Sequence, residues 1–96
     1  MSEKERIREH WRITGDVQGV GFRWGMQQIS NSLGITGWVR NLYSGDVEAE
    51  VQGTEYELEI LEKRLREGRY YGIRRIWKQK IPAEEKETAF RVRMWE

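Results

Sequence analysis

The spacing of hydrophobic residues switches between two periods along this chain, and the order of the switches limits the folds it can adopt. Ile7, Trp11 and Ile13 share one parity with Glu9, while Arg8, His10, Arg12 and Thr14 share the other. That alternation marks a half-buried strand with His10 on its solvent face. From Phe22 the spacing becomes helical. Phe22, Met26, Ile29 and Leu33 recur at i, i+4, i+7 and i+11, one stripe on a helix over residues 22–33, and Gly34 is placed to cap it. Residues 37–43 alternate again, with Val39 and Asn41 against Trp38, Arg40 and Leu42. Ser44 and Gly45 make a turn, and residues 46–52 follow with Val47, Ala49 and Val51 inward and Asp46, Glu48, Glu50 and Gln52 outward. Two such runs around a short turn predict a β-hairpin.

Thr54 followed by Glu57 is a capping box. It opens a second helix with Leu58, Leu61 and Leu65 as its apolar stripe, Glu62 and Arg66 paired on the wet side, and Gly68 as its stop. Residues 73–79 predict a strand closed by Pro82. Residues 88–95 predict the last one, with Phe90, Val92 and Met94 inward and Arg91, Arg93 and Trp95 outward. The order is βαββαβ plus a terminal strand. It predicts an α+β, ferredoxin-like α/β sandwich, with two helices on one face of a mostly antiparallel five-stranded sheet. Residues 1–6 are polar after Met1 and are expected to form a flexible tail. Residues 7–96 are expected to form a single domain, as the 96-residue length requires.

Between the first strand and the first helix lies Gly15-Asp16-Val17-Gln18-Gly19-Val20-Gly21-Phe22-Arg23. Glycines let the backbone take positive φ and approach another group closely. A turn of this kind at a helix start aims several backbone N–H groups at one spot, where the helix dipole is positive. Arg23 adds a planar cationic fork suited to phosphate oxygens. On the residues alone two readings stand: a phosphate or carboxylate cradle, or a tight turn beside a solvated arginine. Two named motifs do not fit. A P-loop needs Lys and then Ser or Thr after its last glycine, where Phe22 and Arg23 stand; the dinucleotide fingerprint needs a glycine where Trp24 stands. Gly25, inside the first helical turn, is costly for a helix and reads as a local loosening or widening of the site.

Composition removes whole classes of chemistry. There is no cysteine and one histidine, so there is no disulfide, thiol nucleophile, Cys-based metal site or His cluster. Seventeen basic residues against 16 acidic give a net charge of +1, too little for a strong field toward nucleic acid. No run is long and apolar enough for a membrane span. Residues 69–80 are locally basic and aromatic. They read either as an edge strand guarded by charge, which is favoured, or as a surface for single-stranded nucleic acid or a protein partner.

Val17-Gln18-Gly19-Val20-Gly21-Phe22-Arg23, then Leu33-Gly34-Ile35-Thr36-Gly37-Trp38-Val39-Arg40-Asn41, Gly45-Asp46-Val47-Glu48 and Phe90-Arg91-Val92 together resemble the acylphosphatase family. The similarity spans residues 8–95. It implies the same two-helix, five-stranded sandwich and an acylphosphate phosphohydrolase acting without metal or cofactor. The resemblance implies that Arg23 and the backbone amides of Asp16, Val17, Gln18, Gly19, Val20 and Gly21 bind the phosphoryl group, and that Asn41 orients the attacking water. The Asp16 side chain is expected to face solvent. Trp24, Trp38 and Tyr43 are candidates for the border of the acyl side. The substrate is then a small acylphosphate and the products a carboxylate and inorganic phosphate. No membrane or nucleic-acid partner is expected, and the protein is expected to be monomeric and cytoplasmic. The alternative is a non-catalytic ferredoxin-like module binding through residues 69–80.

Overall fold

The structure, a computed structural model, describes residues 5–19, 21–69 and 71–94. Its elements are β1 (Ile7–Asp16), α1 (Phe22–Leu33), β2 (Thr36–Asn41), β3 (Val47–Gly53), α2 (Glu55–Arg66), β4 (Gly72–Ile81) and β5 (Phe90–Val92). The strands form one sheet in the order β4-β1-β3-β2-β5. Every pairing is antiparallel except that of β2 with β5, which is parallel. Two helices on a five-stranded sheet is the predicted sandwich, with a mixed sheet as the one refinement. Most of the expected tail, residues 1–4, lies outside the described residues, as does Trp95.

The core follows the alternation. Trp11 and Ile13 of β1, Val39 of β2, and Val47, Ala49 and Val51 of β3 are fully buried against Phe22, Met26, Leu58, Leu61 and Leu65 of the helices. Burial of this apolar surface is the main force holding the helices to the sheet. Ile29 and Leu33 complete the α1 stripe only partly buried. No helix among the described residues is long and apolar enough to cross a membrane.

Three expectations need correction. Arg8 and Gln52 belong to the outer face of the sheet, yet only 3% and 6% of their surfaces are exposed. Residues 82–89 fold over that end. The Arg8 guanidinium bonds Glu87 at 2.7 Å and Glu50 at 2.9 Å, while the Gln52 carboxamide exchanges two bonds with the Glu84 backbone, both 2.8 Å. Burial lowers the Arg8 pKa, but the two carboxylates outweigh it and raise it, so the group stays charged. Leu42 does not continue β2 outward; the hairpin turn begins there, with its N–H on the Asp46 carbonyl at 2.9 Å, and its side chain is buried.

The third correction concerns β5, which is three residues long rather than eight. Phe90 is buried, but Val92 is 38% and Met94 77% exposed. Alternation gives Val92 the expected side, but that side looks into a cavity rather than onto a helix. The backbone stays tied to β2 a little longer, through Arg93 N–H on the Val39 carbonyl at 2.8 Å.

Candidate active site

The site begins where β1 breaks register. A bulge falls between Thr14 and Gly15 on the β4 side. Gly15 has φ 131°, and a Cβ there would sit 2.2 Å from the Gly72 carbonyl oxygen, so only glycine lets the chain turn out of the sheet at this point. Val17, 1% exposed, anchors the loop in the core. The Gln18 side chain pins it from outside, its amide donating to the Leu42 carbonyl at 2.7 Å and the Asp46 carbonyl at 2.8 Å. Gly19 and Gly21 take left-handed φ of 74° and 82°. Val20 lies outside the described residues.

Gly21 is the N-cap of α1. It provides no side-chain cap, and no acidic residue stands in the first turn. The first helical bond runs from Gly25 N–H to the Gly21 carbonyl at 3.0 Å. The N–H groups of Phe22, Arg23 and Trp24 therefore have no acceptor within the helix. They open into a cavity of about 240 Å³ lined by Val17, Gly19, Gly21, Phe22, Arg23, Trp24 and Val92. Unpartnered amides, the positive end of a helix and a guanidinium in one concavity suit an anion. Among the described residues Arg23 donates once, to the Arg93 carbonyl at 3.2 Å, which leaves most of its five N–H groups for a ligand.

Asn41 ends β2 on the helix-facing side. It is 4% exposed, and its carboxamide oxygen is buried without a hydrogen-bond partner among the described residues. Buried polar atoms are nearly always paired, so this oxygen is one of the few polar atoms here with capacity to spare. Asn41 does not line the cavity with Arg23. Three bonds tie its neighbourhood to the cavity's components: Gln18 on the Leu42 carbonyl, Arg93 N–H on the Val39 carbonyl, and Arg23 on the Arg93 carbonyl.

The family model described as Acylphosphatase matches residues 9–92 of the chain. The chain belongs to the acylphosphatase family. A protein named Acylphosphatase from Moorella thermoacetica is 38% identical over 87 residues, covering 91% of this chain and 94% of that one. One of the same name from Thermococcus kodakarensis is 53% identical over 57 residues, 59% of this chain; that match spans 63% of the relative's length. The solved structure of an acylphosphatase from Coxiella burnetii superposes with a TM-score of 0.84 at 34% identity, covering 97% of this chain and all of that one. The protein is thus an enzyme of the acylphosphatase family.

Among the residues that the acylphosphatase resemblance singles out, Val17, Gly19, Gly21 and Arg23 share the cavity. Gln18 stands behind the loop, held by the hairpin turn, and Asp16 is exposed and does not line the cavity. Trp24 borders the cavity. Trp38 does not: it lies on the outer face of the sheet between the guanidinium groups of Arg93 and Arg40, 4.6 and 5.1 Å from its ring. Tyr43, 72% exposed, is not in the lining either.

One supporting residue, Tyr71, is not singled out by the sequence. Tyr71 meets Phe22 edge-on, ring centroids 4.8 Å apart, and so props the first residue of α1; burial pushes its phenol pKa up, keeping it neutral. The space beside Gly25 opens toward the Tyr71 hydroxyl, 3.9 Å from where a Cβ would be, and Gly25 is absent from the cavity lining. Its small size therefore does not widen the cradle. Among the described residues no group of three or more His, Asp or Glu side chains is placed to hold a metal ion.

Proposed function

We propose that the protein hydrolyses acylphosphates to a carboxylate and inorganic phosphate, by in-line attack of water on a phosphoryl group held at the start of α1. The observation that carries this reading is the uncapped first turn of α1 opening, with Arg23, into one cavity. The phosphoryl oxygens accept from the free amides of the first turn and the loop and from the Arg23 fork. Asn41 accepts a hydrogen bond from the water through its carboxamide oxygen and so directs the water's lone pair at phosphorus. The new P–O bond forms as the bond to the acyl oxygen breaks. The leaving carboxylate takes the bonding pair, and the surplus proton passes to solvent.

This chemistry asks little of acids and bases. A carboxylate leaves readily because its conjugate acid has a pKa of about 4. Positioning and charge stabilisation supply most of the acceleration in phosphoryl transfer. The reading is metal-independent, with residues 7–96 acting as one monomeric domain in the cytoplasm.

The alternative, binding through residues 69–80, has weaker support, because two of the five cations there are engaged and the net charge of +1 supplies no wider basic field. Lys78 pairs with Glu62 and lies over the Trp11 ring, and Arg75 stacks on Trp77 at 4.8 Å. On the adjoining outer face Arg12 pairs with Asp46 at 2.9 Å, while His10 and Arg40 share Glu48 at 2.7 Å each. Burial raises the Glu48 pKa, but the bonds from His10 and Arg40 outweigh it and hold it below the usual carboxylate value.

The test is phosphate release from benzoyl phosphate, with a metal chelator present, by the wild type, Arg23→Ala and Asn41→Ala. Turnover well above the spontaneous rate is expected, with each variant reduced by about 10²- to 10³-fold, the usual effect of removing one transition-state donor. An inactive wild type contradicts the reading, and activity lost only on chelation contradicts its metal independence.

A further inference from the structure

A second cavity lies on the other face of the sheet, the face that carries no helix. It measures about 400 Å³ and is lined by His10, Arg12, Trp77, Lys78 and Gln79. Arg12 and Trp77 are cross-strand partners on β1 and β4, and His10 and Gln79 are the next pair on the same side. Lys78 points to the opposite face, over Trp11 and onto Glu62, so it gives the cavity only its backbone. Trp77 is 56% exposed, and an indole left mostly in water adds little to the fold. The Arg75 guanidinium covers this ring at 4.8 Å and is absent from the lining. The indole is thus backed on one side and meets the cavity with the other.

Three polar groups around the cavity have capacity to spare. Arg12 spends Nε and Nη2 on Asp46 and Ser44, which leaves Nη1 with two N–H donors. His10 Nε2 lies 2.7 Å from a Glu48 oxygen. Glu48 also pairs with Arg40 at 2.7 Å and accepts from both, so Nε2 carries the proton and Nδ1 of the neutral ring accepts. Gln79 is exposed, and its carboxamide makes no hydrogen bond among the described residues.

We propose that this cavity binds a purine mononucleotide, with the base stacked on Trp77, its polar edge on Gln79 and His10 Nδ1, and its phosphate on Arg12. A stacking wall calls for a flat ring, and one free cationic fork calls for one anionic group. His10 and Gln79 lie two residues along the strands from Arg12 and Trp77, about 7 Å away, and call for donors and acceptors on the edge of the ring. A simple aromatic carboxylate meets the first two demands and leaves the third unmet. A purine joined through ribose to a phosphate spans both ends. The volume lies within the roughly 300–1,000 Å³ typical of small-molecule sites. One free arginine and a net charge of +1 supply no track for a longer chain of phosphates, so the ligand is a free nucleotide rather than a nucleic-acid strand. No residue of this lining belongs to the α1 cradle, and the site stands whether or not the phosphoryl reading holds.

The test is equilibrium dialysis of the intact protein against adenosine monophosphate, adenosine and an adenosine oligonucleotide. The monophosphate is expected to bind at one molecule per chain, and equally well to Arg23→Ala, in which the cradle has lost its cation. Trp77→Ala is expected to weaken binding about tenfold or more, the usual scale for removing a base-stacking side chain, and Trp77→Phe to restore most of it. Arg12→Gln is expected to bring the monophosphate down to the affinity of adenosine, whose own binding stays unchanged. No binding of the monophosphate at millimolar concentration overturns the proposal. So does binding that is lost in Arg23→Ala and kept in Trp77→Ala, which would put the nucleotide in the cradle. An oligonucleotide bound tenfold more tightly than the monophosphate overturns the free nucleotide as ligand. If Trp77→Ala does not fold, Gln79→Ala, a change at an exposed side chain of the same lining, decides: weakened binding is expected, and unchanged binding overturns the site.

Discussion

The two helices of this protein have the same length, 12 residues, and pack into the same core, but they begin in opposite ways. At the start of α2 the Thr54 hydroxyl accepts from Glu57 N–H at 3.1 Å, and the Glu57 carboxylate accepts from Thr54 N–H at 2.9 Å. Glu55 and Glu57 place negative charge in its first turn, and Lys63, Arg64 and Arg66 place positive charge in its last. Each feature opposes the helix dipole and satisfies an end that would otherwise need water. At the start of α1 there is a left-handed glycine, no capping side chain and no acid, and the first charged residue is a cation. By the rules of capping side chain and first-turn charge that start is poor. The contrast separates an end built for stability from one whose unsatisfied groups are kept for something outside the chain, and only the second opens into the cavity.

The contrast can be broken by making α1 begin like α2. Arg23→Glu places an acid in its first turn. Phosphate release is expected to fall about 10³-fold or more, because a donor is lost and a repelling charge gained. Thermal stability is expected to hold or to rise by about 0.3–1 kcal/mol, the usual gain from an acid at a helix start. Parallel activity assays and melting curves check both halves, and a variant that is both active and destabilised would refute the contrast. The converse change is Thr54→Ala. It is expected to cost about 1 kcal/mol, a fall in Tm of roughly 4–8 °C for a domain of this size, with phosphate release unchanged. The smallest effect is at Gly25. A Cβ there meets nothing closer than the Tyr71 hydroxyl at 3.9 Å, so Gly25→Ala is expected to stabilise α1 by about 0.5–1 kcal/mol in a denaturant titration. Activity is expected to persist, since the cavity wall lies elsewhere.

How much of this was legible beforehand differs from place to place. The limits of α1, residues 22–33, stood in the sequence because Gly21 and Gly34 punctuate a clean apolar stripe. The capping box of α2 is a local device and was equally plain. What escaped depends on distant segments. Arg8 looked solvent-facing because nothing in β1 reveals that Glu87, 79 residues on, will close over it. Val92 and Met94 alternate like core residues, but burial requires a helix above them, and α1 starts too late to supply one. The cradle was visible in its glycines and in Arg23. Spacing could not reveal that Gln18 would clamp the loop to the hairpin turn, or that Tyr71 would brace Phe22, because both contacts cross between elements. Nor could it reveal that Asn41 would keep its oxygen unpartnered.

The central claim is that water attacks phosphorus in the α1 cradle. A turnover of benzoyl phosphate in ¹⁸O-labelled water, followed by mass spectrometry of both products, tests it most directly. The account expects one labelled oxygen in inorganic phosphate and none in benzoate. Label in benzoate, the mark of attack at the acyl carbon with the phosphate leaving intact, would contradict it.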